Sequence, residues 1–110
     1  MNIQIFGTLK CRDTKKAQRY FKERRIPFQF VDLARKGLSR GELNGIGAAV
    51  GLDNLIDREG RAYEERNLKY IIHDVAEQLL GDPRLLKTPI VRNGRAATVG
   101  YQPDQWKEWQ

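Results

Sequence analysis

The sequence contains a single cysteine, Cys11, and a single histidine, His73. One cysteine excludes an internal disulfide, which agrees with a reducing compartment. Together the two counts also exclude a zinc site built from clustered Cys and His ligands. No apolar run is as long as a membrane span, and no charged start is followed by an apolar stretch of the signal-peptide kind. We therefore expect a cytoplasmic protein with no metal and no membrane association.

Charge is not concentrated in any one tract of the chain. The net charge is +6, and the densest basic group is Lys22 with Arg24 and Arg25. That group ends a predicted helix, where cations favour the helix dipole. No motif with nucleic-acid-reading spacing is present, so direct nucleic-acid binding is not expected. The 110 residues predict one domain with its own core, and we expect a monomer.

The first third of the chain predicts a strand, a helix and a second strand. Residues 2–6 alternate apolar and polar side chains, as do residues 28–33. Between them, residues 12–24 carry apolar side chains at helical spacing, and Pro27 cannot continue that helix. A connection through a helix joins parallel strands, so this segment predicts a right-handed βαβ unit.

A helical block, about residues 38–86, follows the βαβ unit. Ser39 with Glu42 three positions later forms a capping-box pattern at the start of a helix. A second helix is predicted over residues 67–80, closed by Gly81. Its apolar positions recur at helical spacing and are Leu68, Ile71, Ile72, Val75, Leu79 and Leu80.

The last quarter of the chain predicts a hairpin and a closing helix. Residues 90–92 and 96–99 are predicted strands, and Asn93-Gly94 between them is a strong hairpin signal. A helix with Pro103 in its first turn follows. A βαβ unit and a ββα unit separated by a helical insert indicate an α/β, thioredoxin-like (glutaredoxin-type) fold. That fold has a four-stranded mixed sheet, here formed by one domain over residues 1–110.

Cys11 lies where the loop after the first strand meets the first helix. The first turn of a helix has unpaired N–H groups and a partial positive charge, and both favour a thiolate. Arg12, Lys15 and Lys16 add positive potential. Cysteines in such surroundings have pKa values between about 3.5 and 7.5. These features favour a nucleophilic Cys11 over the alternative, a buried cysteine that acts as a small apolar side chain.

Four motifs in order resemble the arsenate reductase (ArsC)/Spx family of the thioredoxin-like superfamily. They are Ile5-Phe6-Gly7-Thr8-x-x-Cys11, Lys15-Lys16-Ala17, Leu86-Lys87-Thr88-Pro89-Ile90-Val91 and Val99-Gly100-Tyr101. The resemblance extends over nearly the whole chain. It implies that Cys11 is the catalytic cysteine and that Pro89 is the proline, usually cis, that faces it.

The resemblance also assigns roles to residues around the cysteine. Thr14 occupies the position where redox-sensing relatives carry a second cysteine, so a two-cysteine switch is excluded, although its hydroxyl can donate to the thiolate. Arg12 and Lys15 would stabilise the thiolate and an incoming anion. Thr88 would present its backbone to a substrate.

The sequence departs from typical arsenate reductases at their arginines. Thr88 replaces the arginine before the proline, and Gly100 or Tyr101 replaces another near the last hairpin. Arg58 is the nearest candidate for the third, in the insert. Because oxyanions are best bound by arginine forks, these losses weaken an assignment to arsenate.

Three hypotheses follow from these residues. The first is a thiol oxidoreductase in which Cys11 attacks arsenate or a glutathione-type mixed disulfide. With no second cysteine and no bound cofactor, glutathione or a glutaredoxin would be the partner that resolves the adduct. The alternative is an Spx-like regulator that binds RNA polymerase without catalysis. The third is a relative that keeps the fold and has lost the activity.

Overall fold

Four short strands form one mixed sheet in the computed structural model, which describes all 110 residues. The order across the sheet is β2-β1-β3-β4, in which β1 is parallel to β2 and antiparallel to β3, and β3 is antiparallel to β4. This topology confirms the predicted thioredoxin-like fold. The strands are β1 (Ile3–Gly7), β2 (Phe28–Asp32), β3 (Ile90–Asn93) and β4 (Ala96–Val99).

Five α-helices and three short 3-10 helices surround the sheet. The capping box predicted for the insert is present, because Glu42 N–H donates to Ser39 Oγ at 3.1 Å and Ser39 N–H donates to Glu42 Oε1 at 2.9 Å. No helix is both long and apolar enough to cross a membrane. The α-helices are α1 (Arg12–Glu23), α2 (Arg40–Val50), α3 (Arg61–Glu65), α4 (Val75–Gly81) and α5 (Pro103–Glu108), and the 3-10 helices span Leu52–Asn54, Leu68–Tyr70 and Pro83–Leu85.

Each face of the sheet has its own apolar core. Helices α1 and α5 cover one face, where Phe21 and Trp106 are fully buried. The Trp106 indole N–H donates to Thr98 Oγ1 at 2.7 Å, which joins α5 to β4. The insert covers the other face and packs Ile46 of α2 against Phe6 and neighbouring core residues. The two cores hold α1 and the loop before β3 against the same sheet.

The predicted helix over residues 67–80 is wrong as a single element. A 3-10 turn ends at Tyr70, and α4 begins only at Val75. Asp74 is the reason for the new start, because its carboxylate accepts a hydrogen bond from Glu77 N–H at 3.2 Å and so caps α4. Ile72, which the helical spacing had placed on the apolar face, is fully exposed as a result.

The hairpin between β3 and β4 forms one residue later than its strongest sequence signal. Asn93 pairs with Ala96, so the two turn residues are Gly94 and Arg95. Gly94 has a φ of +59°, and glycine is the residue that tolerates this conformation at the first turn position. The turn therefore uses the predicted glycine in a shifted register.

Candidate active site

Cys11 is the residue that caps the N-terminus of α1. Its backbone is extended (φ −82°, ψ 119°), and its carbonyl accepts the first hydrogen bond of the helix, from Lys15 N–H at 3.2 Å. The Cys11 N–H donates to Thr8 O at 3.1 Å, which closes the loop after β1. No side chain caps this helix end, so the first-turn N–H groups remain available beside the half-buried sulfur.

The loop before β3 lies against the sulfur of Cys11. The distance from Cys11 Sγ to Thr88 O is 3.7 Å. The Thr88–Pro89 peptide bond is cis, and Pro89 is buried. Gly100 N–H donates to Pro89 O at 2.8 Å and so anchors this loop to the end of β4.

Thr14 places a hydroxyl under the first turn of α1. The residue is fully buried, and Oγ1 has no nitrogen or oxygen partner. Its side chain fits there because residue 7 is glycine: a Cβ at Gly7 would collide with Thr14 Oγ1. The Thr14 hydroxyl is therefore free to donate its proton to the nearby Cys11 sulfur.

The surroundings favour the thiolate form of Cys11. Partial burial alone would raise the pKa of the thiol. Hydrogen bonds from the Thr14 and Thr88 side chains and from the backbone N–H groups of Thr14 and Asp13 act in the opposite direction and outweigh burial. The net result is a Cys11 pKa below its ordinary value.

A cavity of about 500 Å³ opens beside the sulfur. Main-chain hydrogen bonds join two of the segments that line it, residues 55–57 and 85–87. Asp57 N–H donates to Leu85 O and Lys87 N–H donates to Leu55 O, both at 2.8 Å. Lys87 is the only cation in the lining and Asp57 the only carboxylate. The lining residues are Cys11, Asn54, Asp57, Leu86, Lys87, Thr88, Val99 and Gly100.

Not all of the residues predicted for the site come together. Thr14 and Thr88 adjoin Cys11, as described above, whereas Arg12 and Lys15 are exposed on α1 and do not line the cavity. Arg58 lies in a different groove, where its guanidinium donates to Asp53 O at 3.1 Å.

Three cavity residues, Asn54, Asp57 and Lys87, escaped prediction from the sequence. They come from irregular segments of the insert and from the residue before Thr88, and no periodic pattern marks them. An isolated antiparallel β-bridge between Ile56 and Leu86 brings these segments together. No group of three or more His, Cys, Asp and Glu side chains is placed to hold a metal ion.

The topology defines a thioredoxin-like fold, with one thiol at the start of α1, beyond the C-terminal end of β1. The chain belongs to the ArsC family, whose sequence model matches residues 6–109. Membership confirms the resemblance found in the motifs.

Individual relatives cover almost the whole chain. An uncharacterized protein, YusI of Bacillus subtilis, is 28% identical over 98% of this chain and 98% of its own length. The global transcriptional regulator Spx 2 of Oceanobacillus iheyensis is 29% identical over 99% of this chain and 84% of its own length. An arsenate reductase from Vibrio cholerae superimposes with a TM-score of 0.85 at 21% identity, covering 98% of this chain and 97% of the other, and thus shares the fold.

Proposed function

We propose that the protein is a thiol oxidoreductase in which Cys11 attacks a glutathione-type mixed disulfide. The observation that carries this proposal is the position of the Cys11 sulfur. It lies at the N-terminus of α1, beside the buried Thr14 hydroxyl, which has no nitrogen or oxygen partner. This arrangement supports a thiolate that is both stabilised and reachable through the cavity.

The reaction would take two exchange steps. The Cys11 thiolate forms a bond to one sulfur of the substrate disulfide, the substrate S–S bond breaks, and the leaving thiolate takes the electron pair and a proton. Because the chain has no second cysteine, a second thiol from solution must attack the new disulfide on Cys11. Glutathione, alone or through a glutaredoxin, would release the Cys11 thiolate and leave as an oxidised disulfide.

The charges in the cavity favour a disulfide over arsenate as the substrate. Oxyanions are bound best by planar arginine forks, and no arginine lines this cavity. Asp57 would repel a multiply charged anion, and Lys87 is the only cation in the lining that could offset this repulsion. Arg12 and Lys15 would support the thiolate from the exposed side of α1, whereas Arg58 would need to leave Asp53 to reach an anion at the sulfur.

A coupled assay with glutathione and glutaredoxin tests this function. A glutathionylated peptide and arsenate are offered separately to the wild type and to Cys11→Ser. We expect turnover of the peptide by the wild type only, with arsenate reduced far more slowly. Equal turnover by Cys11→Ser, or reduction of arsenate alone, would refute the proposal.

A second candidate function is a non-catalytic regulator that binds RNA polymerase. The similarity to Spx 2 over 99% of the chain favours it. The absence of a second cysteine argues against a switch of the two-cysteine kind. Recovery of polymerase from a lysate with the wild type and with Cys11→Ser alike would support this candidate, whereas no recovery with either would remove it.

A further inference from the structure

The solvent-facing side of α1 is a continuous basic stripe. Its members are all exposed, and at about 100° per residue they fall within an arc of about 120°. Glu23 is the only acidic residue in that arc. The stripe consists of Arg12, Lys15, Lys16, Arg19 and Lys22.

No carboxylate forms an ion pair with the basic stripe. The structure contains six ion pairs within 4.0 Å, and none includes a residue of α1. Arginines elsewhere on the surface do pair, as Arg40 does with Glu77 at 2.8 Å. Lys16 has only the exposed Tyr101 ring, whose centre lies 5.6 Å from Nζ. The charge of the stripe is therefore available to a partner.

The stability of α1 does not account for the basic stripe. Arg12 and Lys16 are four residues apart, as are Lys15 and Arg19, and like charges at that spacing weaken a helix. The side that holds α1 on the sheet is the opposite one, with Ala17 and Phe21 buried. Only Lys22, in the last turn, suits the helix dipole; the other four cations act against the helix that carries them, and none of the five contributes to its core.

The position of the basic stripe connects it to the thiol. It begins at Arg12, directly after Cys11, and a groove beside it is lined by three cations, one carboxylate and three other side chains: Lys16, Arg19, Arg24, Glu23, Tyr20, Tyr101 and Pro103. A macromolecule bound along α1 would therefore have one end of its bound segment next to the Cys11 sulfur. We propose that the basic stripe docks protein substrates in which acidic residues flank the reducible disulfide. This rests on the proposed function and names the class of its substrate.

The charge pattern favours a protein partner over a nucleic acid. The basic stripe ends beside the nucleophilic Cys11 thiol. A nucleic acid has no disulfide with which that thiol could exchange. An acidic segment would be attracted during encounter, and such steering raises association rates by about 10- to 1,000-fold at low ionic strength. The attraction would bring the substrate disulfide to Cys11.

Peptides with one cysteine, held as a mixed disulfide with 2-mercaptoethanol, test the docking. One peptide carries four Glu residues beside the cysteine and the other four Lys. The rate of each variant with a peptide is divided by its rate with neutral 2-hydroxyethyl disulfide.

The test variant is Arg19→Glu/Lys22→Glu, whose sites lie about 12 and 16 Å along the helix from Cys11. In 20 mM salt the screening length is about 20 Å, so these substitutions can change the thiol pKa, and the rate with the neutral disulfide corrects for that change. The matched control is Arg61→Glu/Arg95→Glu, with the same change in charge at exposed sites elsewhere.

We expect the wild type to react with the acidic peptide at least about tenfold faster than with the basic one in 20 mM salt. The ratio should fall toward one in 0.5 M salt, should be lost in Arg19→Glu/Lys22→Glu and should survive in the control. Equal rates for the two peptides in the wild type would overturn the docking proposal. So would a preference that the test variant retains.

Binding to Cys11→Ser, followed by fluorescence anisotropy of the labelled acidic peptide, separates docking from chemistry. If no disulfide reacts with the wild type, including the neutral one, the proposed function fails. Docking is then decided by whether Arg19→Glu/Lys22→Glu lowers the affinity of the peptide at least about tenfold. A 20-base-pair DNA duplex that binds more tightly than the acidic peptide in 0.15 M salt would overturn the proposal in favour of a nucleic-acid partner.

Discussion

The sulfur of Cys11 lies 3.7 Å from the carbonyl oxygen of Thr88, a residue 77 positions further along the chain. Two parts of the fold create this contact. Strand β1 delivers Cys11 to the start of α1, and β3, which pairs with β1, begins just after Thr88. The candidate site is therefore a consequence of the order of the central strands.

The Thr14 hydroxyl is expected to control the pKa of Cys11. In Thr14→Val the largest of the hydrogen bonds that favour the thiolate is removed, so the pKa should rise. The reaction with a neutral disulfide at pH 7 should slow about two- to tenfold, because less of the thiol is ionised. A pH titration of thiolate absorbance measures the shift.

Stability provides the control for this variant. Thr14 Oγ1 is buried without a nitrogen or oxygen partner, so valine of the same shape should not lower the free energy of unfolding. Thr14→Ser, which keeps the hydroxyl, should keep the low pKa. A pKa that rises equally in both variants would show that packing, rather than the hydroxyl, determines the pKa of the Cys11 thiol.

Gly7 is expected to tolerate no side chain. A Cβ at this position would overlap Thr14 Oγ1 beneath the first turn of α1, so Gly7→Ala must displace the helix or the threonine. We expect a loss of about 1–3 kcal/mol in the free energy of unfolding, measured with urea. In Gly7→Ala/Thr14→Ala the space is restored, so most of that loss should be recovered. A loss that Thr14→Ala leaves unchanged would contradict the packing described for Gly7.

The hydrogen bond from Trp106 to Thr98 is expected to stabilise the packing of α5 on the sheet. Trp106→Phe removes the donor and leaves the buried Thr98 hydroxyl without it, which should cost about 1–3 kcal/mol of unfolding free energy beyond the smaller ring. Adding Thr98→Val should recover part of that loss, because the unpaired hydroxyl is removed. Thermal or urea unfolding of the two single variants and the double variant gives the coupling, and strict additivity would contradict it.

Asp82 should make the stability of the insert depend on acid. Its carboxylate accepts hydrogen bonds from the Arg84 side chain at 2.8 and 3.0 Å, and these hold the pKa of Asp82 below its ordinary value. A carboxyl whose pKa is lower in the folded state stabilises the fold above its unfolded pKa of about 3.9 and loses that effect as pH falls through the folded value. Asp82→Asn should therefore be less stable than the wild type at pH 7.

The same comparison at low pH completes the Asp82 test. Asparagine can still accept the Arg84 N–H at the start of the 3-10 helix, so the variant removes mainly the charge. The difference in urea midpoint should shrink steadily below pH 4. A difference that stays constant from pH 7 to pH 3 would exclude the carboxylate as its source.

The sequence was most informative where a local rule decides the outcome. The first helix ends at Glu23, before Pro27, and the capping box at Ser39 starts α2, as predicted. Spacing alone failed at residues 67–80, because the Asp74 cap overrides a continuous apolar pattern. Ile71 and Ile72 thus became exposed although their periodicity suited a helix.

The candidate site divides in the same way. The position of Cys11 could be predicted, because a strand, a glycine and a helix follow one another along the chain. The cavity wall could not, since Asp57 and Lys87 meet only through pairing of distant irregular segments. Register also limits such inference: Arg58 lies next to Asp57 in the chain, yet it lines a different groove.

The pKa of Cys11 in the wild-type protein tests the account most directly. Thiolate absorbance is titrated from pH 4 to pH 10, with Cys11→Ser as the blank for the other residues. We predict a midpoint clearly below the value of about 8.5 that is usual for a free cysteine, and a matching rise in the rate of reaction with a neutral disulfide. A midpoint at or above 8.5 would contradict a stabilised thiolate at the start of α1 and the oxidoreductase proposal with it.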